Sequence, residues 1–272
     1  MSLLDPLSHA LAGVIASAHS GLASFGLGPS SGPIWVLSIA AVVVTVRLVL
    51  LPLTVHGVRV AHASARARPH LKELSERYRN RKDAESLRAY AEERRRIAAE
   101  HRLSPWGCLP VVAQIPVWIA LYHLLSDVAG GSPVGAVDAG LVASLGAATV
   151  LGVPLAERGY LGAGGVHLAV VAVLAGTAAL LSYVTQKYVV APNTVLDTAS
   201  EAMVRAHQLM PALSAVGLLV AGGVVPVALL VYWVVNSSWT LGQSAVVARW
   251  FPTPGSAAAA RLALRSGAAR SG

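Results

Sequence analysis

Residues 42–57 read "VVVTVRLVLLPLTVHG". A single arginine, Arg47, interrupts a run otherwise suited to hydrocarbon. A guanidinium at the centre of a bilayer costs several kcal/mol. It is tolerated where it faces water, a carboxylate or backbone carbonyls, or where its stem lets it reach the headgroups. The rest of the chain decides among these.

Composition places the chain in a membrane. Of 272 residues, 55% are hydrophobic and 12% charged, with a mean hydropathy of +0.61. A soluble domain carries about 25% charged residues. The expected class is therefore an all-α integral membrane protein with several spans. The lone cysteine, Cys108, excludes an internal disulfide, and one thiol makes no zinc site. No metal-ligand spacing is present. The glycine runs "AGGSP" and "GAGG" lack the Lys-Ser/Thr of a phosphate loop. Neither cofactor, metal nor catalytic residue is expected. The first 46 residues contain no Lys or Arg, so the basic start of a secretory signal is missing.

Five segments are long and apolar enough to span: 33–55, 105–125, 162–183, 209–225 and 226–247, at about 20 residues per crossing. Trp106 begins the second, and Tyr122 and His123 lie near its end, as aromatics do at interfaces. Pro226 divides the last two, because proline starts a helix better than it continues one. Residues 141–155 are apolar but short and broken by Gly146, Gly152 and Pro154, which predicts a re-entrant or interfacial piece. In residues 1–32, Asp5-Pro6 reads as a helix start. Leu7, Leu11, Ile15, Ala18 and Leu22 follow at helical spacing. An interfacial helix and a loosely ordered leader both fit.

The basic residues give an orientation. Of 21 Lys and Arg, 13 fall in 56–104, beside 7 of the 13 Asp and Glu. Lys- and Arg-rich short loops stay cytoplasmic. With 56–104 inside, the N-terminus and the loop 126–161 are outside. The loop 184–208 and the basic tail 248–272 are inside. Within 56–104, two helical stretches flank a turn at 80–82. Leu71, Leu74 and Tyr78 form one apolar edge, and Leu87, Tyr90, Ala91 and Ile97 the other. They predict an antiparallel helical hairpin projecting into the cytoplasm.

No Asp or Glu occurs in the five spans, so Arg47 has no intramembrane ion pair. Arg47 lies 14 residues beyond Pro33, about 21 Å along a helix, in the cytoplasmic half of the bilayer. Snorkelling to the headgroups is one reading. The other is a wet groove. Asn236, Thr240 and Gln243 share one face of the last span at i, i+4 and i+7. A polar stripe and a lone arginine open to the cytoplasm would give a polar segment of another chain a halfway house. The stripe alone also fits hydrogen bonding between helices.

Three blocks carry a resemblance: "TVRLVLLPLTV" before the basic hairpin, "LSPWGCLPVVAQIPVWIALYHLL", and "LMPALSAVGLLVAGGVVPVALLVYWVVNSSWTLGQ". In this order and spacing, over roughly residues 34–250, the chain resembles the YidC/Oxa/Alb membrane protein insertases, in their short five-span bacterial form. The resemblance implies five spans around a hydrophilic groove open to cytoplasm and lipid. It implies that Arg47 contacts acidic or polar parts of incoming chains. Tyr232 and Trp233 match the family's aromatic pair near the entering segment, and Gln114 and Gln243 match family polar positions. A hairpin that recruits substrate would present Lys72, Arg77, Arg79, Arg81, Lys82, Arg88, Arg94, Arg95 and Arg96. Ser104-Pro105 departs from the family's Asn-Pro, and Pro226-Val227-Ala228 from its Pro-Ser-Gly.

The expected function is insertion of hydrophobic segments into the bilayer of a bacterial cell membrane, without nucleotide hydrolysis. Transfer of about 20 apolar residues into hydrocarbon would drive it. Nascent membrane proteins are the expected partners, with the ribosome, the Sec translocon and anionic lipid as further candidates. A transporter or channel would need polar groups distributed through several spans. An RNA-binding module would need more than the hairpin's Tyr78 and Tyr90 for stacking, so no specific nucleic acid is expected.

Overall fold

Some helix boundaries follow the proline and capping signals, whereas Pro69, Pro116 and Pro211 lie inside helices and Asp5, expected at an N-cap, lies one residue inside its helix. The computed structural model describes residues 4–81, 83–101, 103, 109–161, 164–196 and 201–268. Lys82, Ser104, Pro105, Trp106 and Cys108 lie outside the described residues. Helix α1 (Asp5–Ser24) takes Leu4 as its N-cap, with Asp5 in the first turn, where a carboxylate meets the positive end of the helix dipole. Residues 5–24 are thus helical and not a loosely ordered leader. The helix packs along α2 and buries Leu11, Ala12 and Ile15.

Helix α2 (Gly32–Val49) starts after an extended Ser31 and carries Arg47 in its last turn. It ends six residues before the expected limit at 55. Pro52 explains the break, since it has no N–H to donate and its ring crowds the carbonyl of Leu48. Helix α3 (Leu51–Arg77) begins within the segment expected to complete the first span.

The chain forms two compact units. The first comprises Met1–Leu50, Val111–Thr185 and Met210–Gly242. It contains α1, α2 and most of α5 (Leu109–Ala129). After α5 come α6 (Ala139–Ala147), capped by Asp138, and an antiparallel pair, β1 (Thr149–Val150) and β2 (Val153–Pro154). Residues 141–155 therefore do not span: nine helical residues reach about 13 Å before the strand pair. Gly32 anchors that pair, because a Cβ there would lie 1.9 Å from the Thr149 carbonyl oxygen.

Helix α7 (Gly165–Val184) runs into a π-helical turn over Thr185–Val190. Helix α8 (Glu201–Gly222) and α9 (Val227–Trp250) follow, separated at Pro226 as expected. The opening of α9 is held by the preceding loop. The carbonyls of Glu157 and Leu155 accept from the N–H groups of Val227 and Ala228, both at 2.9 Å. These are donors that a helix start otherwise leaves without partners. Gly159 (φ +71°) lets the loop pass, since a Cβ would lie 2.5 Å from the Gly223 carbonyl oxygen. His167, buried at the start of α7, sits between the Glu157 carboxylate (2.6 Å) and the Gly159 carbonyl (2.7 Å).

Ile34, Trp35, Leu124, Leu125, Leu145, Leu155 and Leu230 make the solvent-free centre of this unit. Large apolar side chains remain on its surface: Leu37 and Leu48 of α2, Val112, Ile115 and Trp118 of α5, Val173 and Leu180 of α7, Leu213 and Val216 of α8. Water would not tolerate so much exposed hydrocarbon, whereas lipid is its natural solvent. The protein is an all-α membrane protein. Among the described residues, four helices are long and apolar enough to cross: Gly32–Val49, Val112–Ala129, Gly165–Asn193 and Glu201–Gly222. Helix α9, at 24 residues, is about 36 Å long, but the polar residues between Asn236 and Gln243 lower its hydropathy below theirs.

The second unit comprises Leu51–Pro110, Gln186–Leu209 and Gln243–Gly272. Here α3 and α4 (Ala84–Glu100) form the helical hairpin. Tyr78 meets Tyr90 edge-on at 5.8 Å, Arg77 reaches Glu93 at 2.9 Å, and His70 stacks on His101 at 5.0 Å. Partners thus diverge from the turn in opposite directions, the mark of an antiparallel pair. Leu74 is buried between the helices, and Leu71, Tyr90 and Ile97 are partly so. Two expected edge residues are not: Leu87 and Ala91 face solvent, because Tyr90 and Glu93 take the inward positions of α4. The tail expected over 248–272 contains α10 (Ala257–Ala268).

Candidate functional site

Arg47 turns toward α9. Its Nη2 donates to Asn236 Oδ1 at 2.7 Å and to Thr240 Oγ1 at 2.8 Å. Asn236 and Thr240 are one turn apart, so their oxygens present a two-point acceptor to a single nitrogen. Thr240 spends its own proton on the Asn236 carbonyl at 2.7 Å, which leaves its lone pairs for the arginine. The guanidinium is half-buried and has no carboxylate partner among the described residues. A guanidinium carries five N–H donors. Two are used here. The three on Nε and Nη1 have no acceptor among the described residues. The side chain is thus positioned by one edge with its other edge unsatisfied, an arrangement suited to a carboxylate or a peptide carbonyl.

The predicted site residues divide. Arg47, Asn236 and Thr240 come together in the first unit. Tyr232 and Trp233 lie one turn earlier on α9 but are buried, at 4% and 6% exposure, as part of that unit's core. Gln114 is half-buried on α5 and makes no hydrogen bond among the described residues. Gln243, the third member of the stripe, belongs to the second unit. There it lines a cavity of about 330 Å³ with Thr54, Ser64, Arg68, Asn193 and Ser244. Arg68 donates to the Val195 carbonyl, and Asn193 accepts from the Thr253 N–H at 2.8 Å. One helical face therefore serves two places, and Arg68 is a polar-site residue that sequence reasoning left among the general basic residues.

The hairpin's basic residues also divide. Arg77 is paired with Glu73 (3.2 Å) and Glu93 (2.9 Å), and Arg96 with Glu100 (2.9 Å). Arg81 lies 5.7 Å over the Tyr78 ring. Lys72, Arg79, Arg88, Arg94 and Arg95 are exposed and have no acidic partner among the described residues. Lys82 lies outside them. These five are the ones free to meet another molecule.

On α5, Val112, Ile115, Trp118 and Tyr122 form an exposed apolar stripe at helical spacing, with Trp118 and Tyr122 rings 6.5 Å apart. The spacing was present in the sequence, but a uniformly apolar helix does not reveal which side stays uncovered.

Comparison with known proteins bears on most of the chain. The model of the 60Kd inner membrane protein family matches residues 27–254. The chain is 33% identical over 243 residues to the membrane protein insertase YidC of Streptomyces avermitilis, covering 86% of this chain and 55% of that one. It is 30% identical to the YidC of Corynebacterium efficiens, covering 90% of this chain and 68% of that one. For the YidC of Tropheryma whipplei the identity is 26%, over 94% of this chain and 87% of that one. The chain thus spans about half the length of the Streptomyces relative.

Proposed function

This chain belongs to the 60Kd inner membrane protein family, and from that premise we propose that it is a membrane protein insertase. It takes hydrophobic segments of nascent or released proteins and delivers them to the lipid bilayer, with no nucleotide hydrolysis. The names of the relatives favour insertion over small-molecule transport.

The observation that carries this reading is the half-used guanidinium of Arg47. Fixed by Asn236 and Thr240, it keeps three donors for a client. The short polar segment ahead of a client's first apolar stretch must cross hydrocarbon, and each unpaired peptide group or carboxylate raises that cost by several kcal/mol. A positioned cation with spare N–H groups and accompanying water lowers it. The apolar stretch then leaves sideways into lipid, where burial of about 20 residues supplies the driving force. Gln114 of α5 adds a polar group to the passage, while Tyr232 and Trp233 hold α9 in place from within the core.

In this reading α9 is the fifth span. The N-terminus lies outside and the C-terminus in the cytoplasm of a bacterial plasma membrane. The hairpin's unpaired Lys72, Arg79, Arg88, Arg94 and Arg95 meet arriving chains, with the ribosome or Sec translocon as the delivering machinery.

Reconstituted vesicles test it. Arg47→Ala and Arg47→Glu should each reduce insertion of a client with an acidic outer segment at least tenfold, the glutamate more than the alanine. A client with a neutral outer segment should be affected less. Unchanged insertion of the acidic client by both variants would refute the role of Arg47.

A further inference from the structure

A second basic site lies in the other unit, where α9 ends and α10 begins. A cavity of about 460 Å³ is lined by Arg249, Arg261 and Arg265 together with Tyr188, Val246 and Trp250. Arg261 and Arg265 stand one turn apart on α10. Ala258, buried on the same face, seats the helix beside the hollow. None of the three arginines has an ion pair or hydrogen bond among the described residues. Three like charges around one hollow repel one another unless an anion sits between them. Guanidinium forks match phosphate oxygens in geometry as well as charge.

The walls say what else the anion carries. Trp250 is 63% exposed, Tyr188 60% and Val246 45%. Tryptophan and tyrosine take this position at the boundary between hydrocarbon and water. Helix α10 adds Leu264, 75% exposed, to its arginines, the pattern of a helix lying in the membrane surface. Exposed aliphatic side chains serve acyl chains and have no use to a nucleic acid.

We propose that this hollow binds the headgroup phosphate of an anionic phospholipid, with α10 lying along the membrane surface. The site rests on the membrane placement of α9 and not on insertion activity.

The test uses the full chain purified in neutral detergent, with lipid retention read by native mass spectrometry. The wild type should retain phosphatidylglycerol in preference to phosphatidylcholine. Arg261→Gln with Arg265→Gln should weaken phosphatidylglycerol binding about 25-fold, at about fivefold per arginine. Arg205→Gln, an exposed arginine on α8, should change nothing. Equal retention of the two lipids would overturn the proposal, as would undiminished binding by the double variant or an equal loss in Arg205→Gln. So would oligouridylate binding through the same two arginines with no lipid preference. Insertion is assayed separately. A wild type that prefers phosphatidylglycerol yet inserts no client leaves this site standing and removes the function proposed above.

Discussion

Arg47 and Asn236 are separated by 189 positions in the chain, yet Nη2 and Oδ1 lie 2.7 Å apart. That bond joins the last turn of α2 to the polar middle of α9. Replacing Asn236 by Leu and Thr240 by Val removes both acceptors without touching the arginine. In a dry interior, two lost charge-assisted bonds would destabilise by about 3 kcal/mol or more. In a hydrated groove, water takes their place and the loss stays near 1 kcal/mol. We expect the smaller loss, measured as the thermal midpoint in micelles. The larger one would mark a dry site.

Asp83 caps α4 by accepting from the Ser86 N–H at 2.8 Å. That hydrogen bond holds its carboxyl below the usual aspartate range. Folded α4 thus favours the charged form. The cap's contribution is fully present above the ordinary aspartate pKa and is lost as pH falls through the lowered folded value. Amide protection factors at the start of α4, taken relative to the intrinsic exchange rate at each pH, should therefore fall in acid. Asp83→Asn should flatten this dependence while keeping much of the cap. An unchanged acid response in that variant would assign it to other groups.

Two glycines should not accept a methyl group. Gly32→Ala drives a Cβ toward the Thr149 carbonyl oxygen and Gly159→Ala toward that of Gly223, the latter at a positive φ. Each should cost about 3 kcal/mol. Gly217→Ala, with nothing within 4 Å of the added atom, should leave the melting midpoint unchanged or raise it.

The proposed orientation is open to labelling. In a Cys108→Ser background, a cysteine at Ser132 should react with a membrane-impermeant maleimide on intact spheroplasts. One at Ser75, exposed on the hairpin, should react only after lysis. The reverse pattern would invert the topology.

Much of this was legible because it is local. Pro226 divides α8 from α9, and the hairpin follows from Leu74, Tyr78 and Tyr90. The pairing of Arg47 with Asn236 and Thr240 was approachable because a buried charge demands acceptors and the spans hold few. What stayed hidden depends on packing. The strand pair at 149–154 exists because it fits against Gly32. Leu87 faces outward because Glu93 turns inward to Arg77. Tyr232 and Trp233, expected beside a client, are enclosed by neighbours that no spacing rule identifies. Pro52 did mark the end of α2, but a continuous apolar run masked it.

Helix α8 buries only Pro211 and Gly222, while Leu209, Met210, Leu213, Val216 and Val220 stand uncovered. Most of its apolar surface therefore meets the surrounding fat, and its own chain holds it chiefly near Leu218, Leu219 and Gly222. Solubilisation exchanges that support for surfactant tails. This helix should respond first to the choice of extraction medium, so that short-tailed surfactants inactivate the preparation well before the Trp35 core gives way.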